Sequence, residues 1–219
     1  MSSVPSSNST SLASVDPVVA AFDVDGTLTV RDCVLPFLLR AAGPGRFAWR
    51  VAGRLPSLIK SAARRDRDAV KEILVSAALA GASVEETELL GARFAGTVAT
   101  SWMRPDVAER LRWHQDQGHI VVLVSASLSP YLQPLGDALD VDAVICTELD
   151  AANGVYSGSL RGPNCRAAEK VNRLRSWATE AGITGEDWLQ YAYGDSAGDS
   201  AMLEMAAHGV NVSRQEVWS

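Results

Sequence analysis

Nowhere does this sequence approach the run of about 18 apolar residues that a bilayer-spanning helix needs, so no transmembrane segment is expected. Cysteine is scarce as well. Cys33, Cys146 and Cys165 are odd in number and never at C-x-x-C spacing, which argues against a disulfide framework and against a zinc site. A reducing, cytoplasmic setting fits them. The only histidines, His114, His119 and His208, suggest no cluster and read as structural or exposed. Lys and Arg are missing from residues 1–17, which are rich in Ser and hold no apolar stretch. That segment does not read as a secretory signal and is expected to be a disordered tail.

What remains is ordinary in composition, with 47% hydrophobic and 21% charged residues over 219 positions. The length suits one α/β domain with an inserted element, or one domain with a small second one. A net charge of −6 argues against a general nucleic-acid binder. The charge is uneven, however: Arg40 to Lys71 holds nine basic and two acidic residues, a local +7, and the remainder is left at −13.

The chain is organised around Ala20 to Thr29. The apolar run Val18-Val19-Ala20-Ala21-Phe22 reads as a buried strand that ends at Asp23-Val24-Asp25-Gly26. Residues 31–103 read as helical throughout, broken near Gly43-Pro44-Gly45, Pro56 and Gly81, and their place after a strand end suggests a cap. From Pro105 onward helices and strands alternate. Strands are expected at Ile120–Val124, Val141–Cys146, Leu189–Tyr193 and Val210–Val212, with Ser129-Pro130 starting a helix by capping it. Asn153-Gly154 marks a hairpin. The fold class is therefore α/β: a Rossmann-like, largely parallel sheet with helices on both faces, and an inserted all-helical cap. The domain reading is a tail at 1–17, a core of 18–30 and 104–219, and a cap at 31–103.

In such a sheet Asp23 and Asp25, Ser125 and Asp195 all come from strand ends on one edge. Carboxylates from two strand ends make an oxygen-rich site for a hard cation such as Mg²⁺. A hydroxyl at Ser125 and an ammonium at Lys170 add an anion clamp, and the set together describes phosphoryl transfer.

These residues resemble the four ordered motifs of the haloacid dehalogenase superfamily: Asp23-Val24-Asp25-Gly26-Thr27-Leu28-Thr29, Ser125, Lys170, and Gly194-Asp195-Ser196-Ala197-Gly198-Asp199. The helical insertion, and Gly162-Pro163-Asn164-Cys165-Arg166 before Lys170, are similar to its subfamily IB, the phosphoserine-phosphatase-like branch. The resemblance implies a phosphatase with Asp23 as nucleophile, forming an aspartyl-phosphate, and Asp25 as acid and base. Asp23, the Asp25 carbonyl and Asp195 would bind Mg²⁺, and Asp199 would orient that set through water. Ser125 and Lys170 would bind the phosphoryl oxygens, with Thr27 supporting them. It also implies a small phosphorylated substrate.

Position twelve from Asp23 is Val34, not the Glu of an EF-hand. Gly194-Asp195-Ser196-Ala197-Gly198 matches a nucleophile elbow, but only His208 follows it. For Asp32 two readings stand: an acid that meets a substrate amino group, or a helix N-terminal aspartate. Arg46, Arg50 and Arg54 recur every four residues beside Phe47 and Val51. That face either draws in an anionic substrate, contacts an anionic membrane, or is simply solvated. Trp49, Trp102 and Trp177 are expected to serve packing. Two departures from the phosphoserine phosphatases, Gly26 where many carry Ser and Ser196-Ala197-Gly198 in the fourth motif, leave the substrate open. So do the alternatives of a lipid-linked phosphate and of a phosphate-sensing module without turnover. Oligomeric state is not legible.

Overall fold

A computed structural model describes residues 17–183, 185 and 187–218. The expected Ser-rich tail, apart from Pro17, lies outside the described residues. Strand β1 (Val19–Phe22) is central in a five-stranded sheet of order β3-β2-β1-β6-β7. It pairs with β2 (Ile120–Leu128) and β6 (Leu189–Gly194), which pair in turn with β3 (Ala143–Thr147) and β7 (His208–Asn211), and every pairing is parallel. Side chains alternate along each strand, so neighbours serve opposite faces. Ala20, Phe22, Val121 and Leu123 join one core, with Val107, Leu111 and Leu135 of α6 (Pro105–Asp116) and α7 (Ser129–Ala138). Val19, Ala21, Val122 and Val124 join the other, with Leu174 and Met202 of α8 (Ala168–Glu180) and α9 (Ser200–Met205). Helices on both faces leave the central strands buried on both sides, which is why they read as continuous apolar runs.

Between β1 and α6 lie α1 (Val34–Ala42), α2 (Pro44–Ala52), α3 (Leu55–Ala63), α4 (Arg67–Leu79) and α5 (Val84–Ser101). Their limits follow local chemistry. Gly43, at φ 76°, ends α1 and Pro44 opens α2, where a missing N–H costs nothing. Asp66 accepts from Ala69 N at 2.9 Å to start α4, and Ser83 accepts from Glu86 N at 3.3 Å to start α5. The chain leaves and re-enters the sheet region through adjacent segments. Val30 N donates to Trp102 O at 2.8 Å and Arg104 N to Leu28 O at 2.9 Å. The hairpin of β4 (Leu149–Ala152) and β5 (Val155–Leu160), turned by Asn153 and Gly154 at positive φ, receives α4 and α5 through Gly81 N to Tyr156 O and Val84 N to Gly154 O.

Several expectations need correction. Strand β2 runs on to Leu128, with its register against β3 shifting between Val124 and Leu128. Pro130 does lie in the first turn of α7, but Ser129 is already helical and Leu128 caps without a side-chain bond. Trp49 is 79% exposed and packs no core, whereas Trp102 is buried. Arg46, Arg50 and Arg54 do not form one open face: α2 ends before Arg54, and Arg50 Nη1 turns inward to Ala77 O and Ala80 O at the end of α4. Nor are the histidines scattered. His114 Nδ1 lies 2.8 Å from His119 Nδ1, His114 Nε2 is 2.9 Å from Tyr193 OH, and both His119 and His208 stack on Tyr191.

Candidate active site

Asp23 directly follows β1, and its N–H donates to Tyr193 O of β6 at 2.9 Å, which fixes it at the carboxyl edge of the sheet. Asp195 follows β6 on the same edge. Lys170 projects from the first turn of α8, entered through Ala167 at φ 52°. Its ammonium lies 2.6 Å from Asp23 Oδ1 and 2.7 Å from Asp199 Oδ1, and all three side chains are nearly inaccessible to solvent. Thr27 Oγ1 donates to the other Asp23 oxygen at 2.9 Å. Asp199 Oδ2 accepts from Ser196 N and Oγ at 3.0 and 2.8 Å. Asp23, Asp195 and Asp199 each bring a carboxylate oxygen within 4.8 Å of the others.

Electrostatics shows what this group lacks. Three carboxylates share one ammonium, a local charge of −2. Burial, only partly opposed by Lys170, pushes Asp23 up to about 7. Burial and then Asp199 also raise Asp195. Asp199 goes the other way: burial disfavours its charge, but Lys170 and Ser196 outweigh that and hold its carboxyl below the usual range. Burial likewise opposes the charge on Lys170, yet the two aspartates win and its pKa rises. An oxygen-only donor set with excess negative charge fits a hard divalent cation. Gly26 fits the same picture, since a Cβ there would lie 2.5 Å from Asp195 Oδ2.

Asp25 is held separately. Its Oδ1 accepts from Cys33 N at 2.8 Å and its Oδ2 from Ser127 Oγ at 2.6 Å, and Tyr131 OH donates to that same Ser127 oxygen at 2.7 Å. Burial, and then the charge on Asp32, raise its pKa. Ser125 is buried in the irregular part of β2, and its Oγ accepts from Ser127 N at 3.0 Å. Asp32 is not drawn into the group. It is exposed, and its Oδ1 accepts from Leu35 N at 3.1 Å in the first turn of α1.

Three contributions escaped sequence reasoning. Ser127 and Tyr131 lie beyond the expected end of β2; the i, i+2 spacing of Ser125 and Ser127 was the available signal. Lys71 of α4 reaches the sheet edge, where its Nζ donates to Ala126 O, to Thr147 Oγ1 at 3.1 Å and to Asn164 Oδ1 at 2.6 Å. Asn164 is fixed in turn by Asp68 Oδ1 at 2.6 Å. Among the described residues no carboxylate pairs with Lys71, and burial brings its pKa down to about 8. A lone lysine at the end of a basic segment carries no sequence signal for this.

Comparison with known proteins agrees with the geometry. The haloacid dehalogenase-like hydrolase family matches residues 20–204. The chain is 39% identical over 193 residues to Protein CicA of Caulobacter vibrioides, covering 87% of this chain and 84% of that one. It is 28% identical to a phosphoserine phosphatase of Archaeoglobus fulgidus, covering 90% of this chain but 52% of that protein. Its fold is similar to a solved phospho-aspartyl intermediate analogue of phosphoserine phosphatase, with a TM-score of 0.59, 22% identity, and 88% and 84% of the two chains covered. Among the described residues no helix is long and apolar enough to cross a membrane. With its buried Asp23–Lys170–Asp199 group at the edge of a parallel sheet, the chain belongs to the haloacid dehalogenase-like hydrolases, as a phosphatase-like member.

Proposed function

We propose that the chain hydrolyses a phosphomonoester through a phosphorylated Asp23, with residues 31–103 acting as a cap over the site. The observation that carries this reading is Lys170 held between Asp23 and Asp199. A carboxylate attacks an anionic phosphoryl group only where positive charge offsets their repulsion.

Asp23 forms a bond to phosphorus as the ester P–O bond breaks, and the leaving oxygen takes a proton from Asp25. Asp25, now ionised, takes a proton from water, which attacks the same phosphorus and releases Asp23 and inorganic phosphate. The raised pKa of Asp25 suits its first task. Lys170 and Ser125 bind phosphoryl oxygens, and Thr27 orients Asp23. Asp23, Asp195 and the Asp25 carbonyl would hold Mg²⁺, with Asp199 acting through water; bound there, the ion supplies the positive charge the carboxylates lack.

The substrate class is a small phosphorylated metabolite. The relative named phosphoserine phosphatase supports a phosphoserine-like one; the bond from Leu35 N to Asp32 favours the helix-start reading of that residue over the amino-group reading. Lys71, with neutral partners only, is the cap residue best placed for a second anionic group. Three buried free cysteines fit a cytoplasmic setting. Intact Asp23, Asp25, Lys170 and Asp195 count against a phosphate-sensing module.

The test is turnover of an aryl phosphate by Asp23→Asn and by the native chain after chelation. Both are expected to lose at least about 10³-fold in kcat. Retained activity in either would overturn the mechanism, and a beryllofluoride adduct without hydrolysis of any phosphoester would favour the sensing module.

A further inference from the structure

Helix α3 has the sequence Leu-Pro-Ser-Leu-Ile-Lys-Ser-Ala-Ala, six of nine residues apolar, yet none of its side chains is buried. Leu55 is 48% and Ile59 is 59% exposed, and the i, i+4 spacing puts them on one face. Just before the turn at Gly53, α2 presents Trp49 at 79% exposure. An apolar helix with Leu58 only half-buried and Leu55 and Ile59 exposed, beside an exposed tryptophan, is a surface awaiting a partner.

Charge identifies the partner. Arg46, Lys60, Arg64, Arg65 and Arg67 flank the apolar residues and are exposed, and among the described residues none pairs with a carboxylate. This lies in the segment of local +7 within a chain of −6. Long basic side chains around Trp, Leu and Ile match a lipid interface, where the rings and aliphatic groups enter the acyl boundary and the cations meet headgroup phosphates. A second copy fits less well. A two-fold contact would set this positive surface against itself, and the other large exposed apolar residues, Val30, Leu35, Leu89, Val155 and Trp218, are spread over separate elements. Nucleic acid would meet the arginines, but Trp49 is the one ring on this surface, and Leu55 and Ile59 add no stacking platform for successive bases.

We propose that α2 and α3 form a peripheral docking surface for anionic lipid bilayers. The surface is independent of the phosphatase reading and would bring the segment 31–103 to the membrane.

The full chain would be sedimented with vesicles of neutral phosphatidylcholine and of phosphatidylcholine mixed with phosphatidylglycerol. Expected is retention on the mixed vesicles alone, weakening as salt is added. Two double variants, Trp49→Ser with Ile59→Ser, and Lys60→Glu with Arg64→Glu, should each reduce retention at least tenfold. Thermal melting should match the native chain, and aryl phosphate turnover in the same preparations should be unchanged, so that a failed catalytic reading is seen separately. No retention, or equal retention on neutral vesicles, would overturn the proposal. Lipid-free self-association abolished by the same variants would assign the face to a second copy instead. Binding of a single-stranded oligonucleotide lost in those variants, without vesicle retention, would assign it to nucleic acid.

Discussion

Gly91 of α5 lies against the backbone of Pro130 at the start of α7, so closely that a Cβ on Gly91 would sit 1.9 Å from the Pro130 carbonyl oxygen. Neither backbone can yield without moving its helix. Gly91→Ala should therefore destabilise the fold by about 2 kcal/mol through overpacking, despite the better helix propensity of alanine. Urea denaturation would show it as a lower midpoint with an unchanged slope. Gly96, on the same helix but with open space around it, is the control: Gly96→Ala should be neutral or stabilising.

Ser127 donates one of the two short hydrogen bonds that Asp25 receives, and that bond lowers the Asp25 pKa. Ser127→Ala should raise it further and leave the carboxyl less well aimed. The expected result is a fall in kcat of about tenfold, with the alkaline limb of the pH–rate profile moved to higher pH. Tyr131→Phe acts one bond further out and should give the same shift, only smaller.

Lys71 has a pKa brought down to about 8 by burial, so its charge fades as the pH rises through that value. The KM for an anionic substrate should then climb above pH 8 in the native chain. Lys71→Met should show a high KM at every pH, and Lys71→Arg should keep a low one through the alkaline range, because a guanidinium does not titrate there. A KM that ignores all three changes would remove Lys71 from the substrate site.

His114 is fully buried, and burial, then the charges of Arg110 and His119, lower its pKa from 6.5 to about 3. Between those values the unfolded chain binds a proton that the folded chain refuses. Its contribution is complete above pH 6.5 and is lost as pH falls, by up to about 1.4 kcal/mol per pH unit. Urea midpoints at pH 7 and pH 5 should converge in His114→Asn and stay apart in the native chain.

Much of this was legible because the parallel sheet turns sequence order into spatial convergence. Asp23, Lys170 and Asp195 could be assembled from strand ends and one helix start, and the hairpin at Asn153-Gly154 from local backbone preference. What stayed hidden depends on pairing across the fold. The extension of β2 past Val124 is set by its neighbour β3, so Ser127 looked like loop. His114, His119 and His208 meet only because α6, the start of β2 and β7 all lie beside Tyr191. Lys71 gains meaning from Ala126, Thr147 and Asn164, all more than 50 residues away. Trp49 misled in the opposite sense, since an apolar side chain states what could be buried and not whether anything covers it.

The two short antiparallel rungs, Val30 to Trp102 and Arg104 to Leu28, close the helical segment into an excursion whose exit and return lie side by side. That closure begins only a few residues after Asp23, and Thr29 within it is fully buried, its hydroxyl within hydrogen-bond distance of Val24 O at 3.0 Å and of Arg31 O at 2.8 Å. Asp23 and the neck of the helical segment thus occupy one short, largely buried piece of chain. Loosening that neck is therefore expected to disturb the aim of Asp23 and Asp25 together with the seating of the helices.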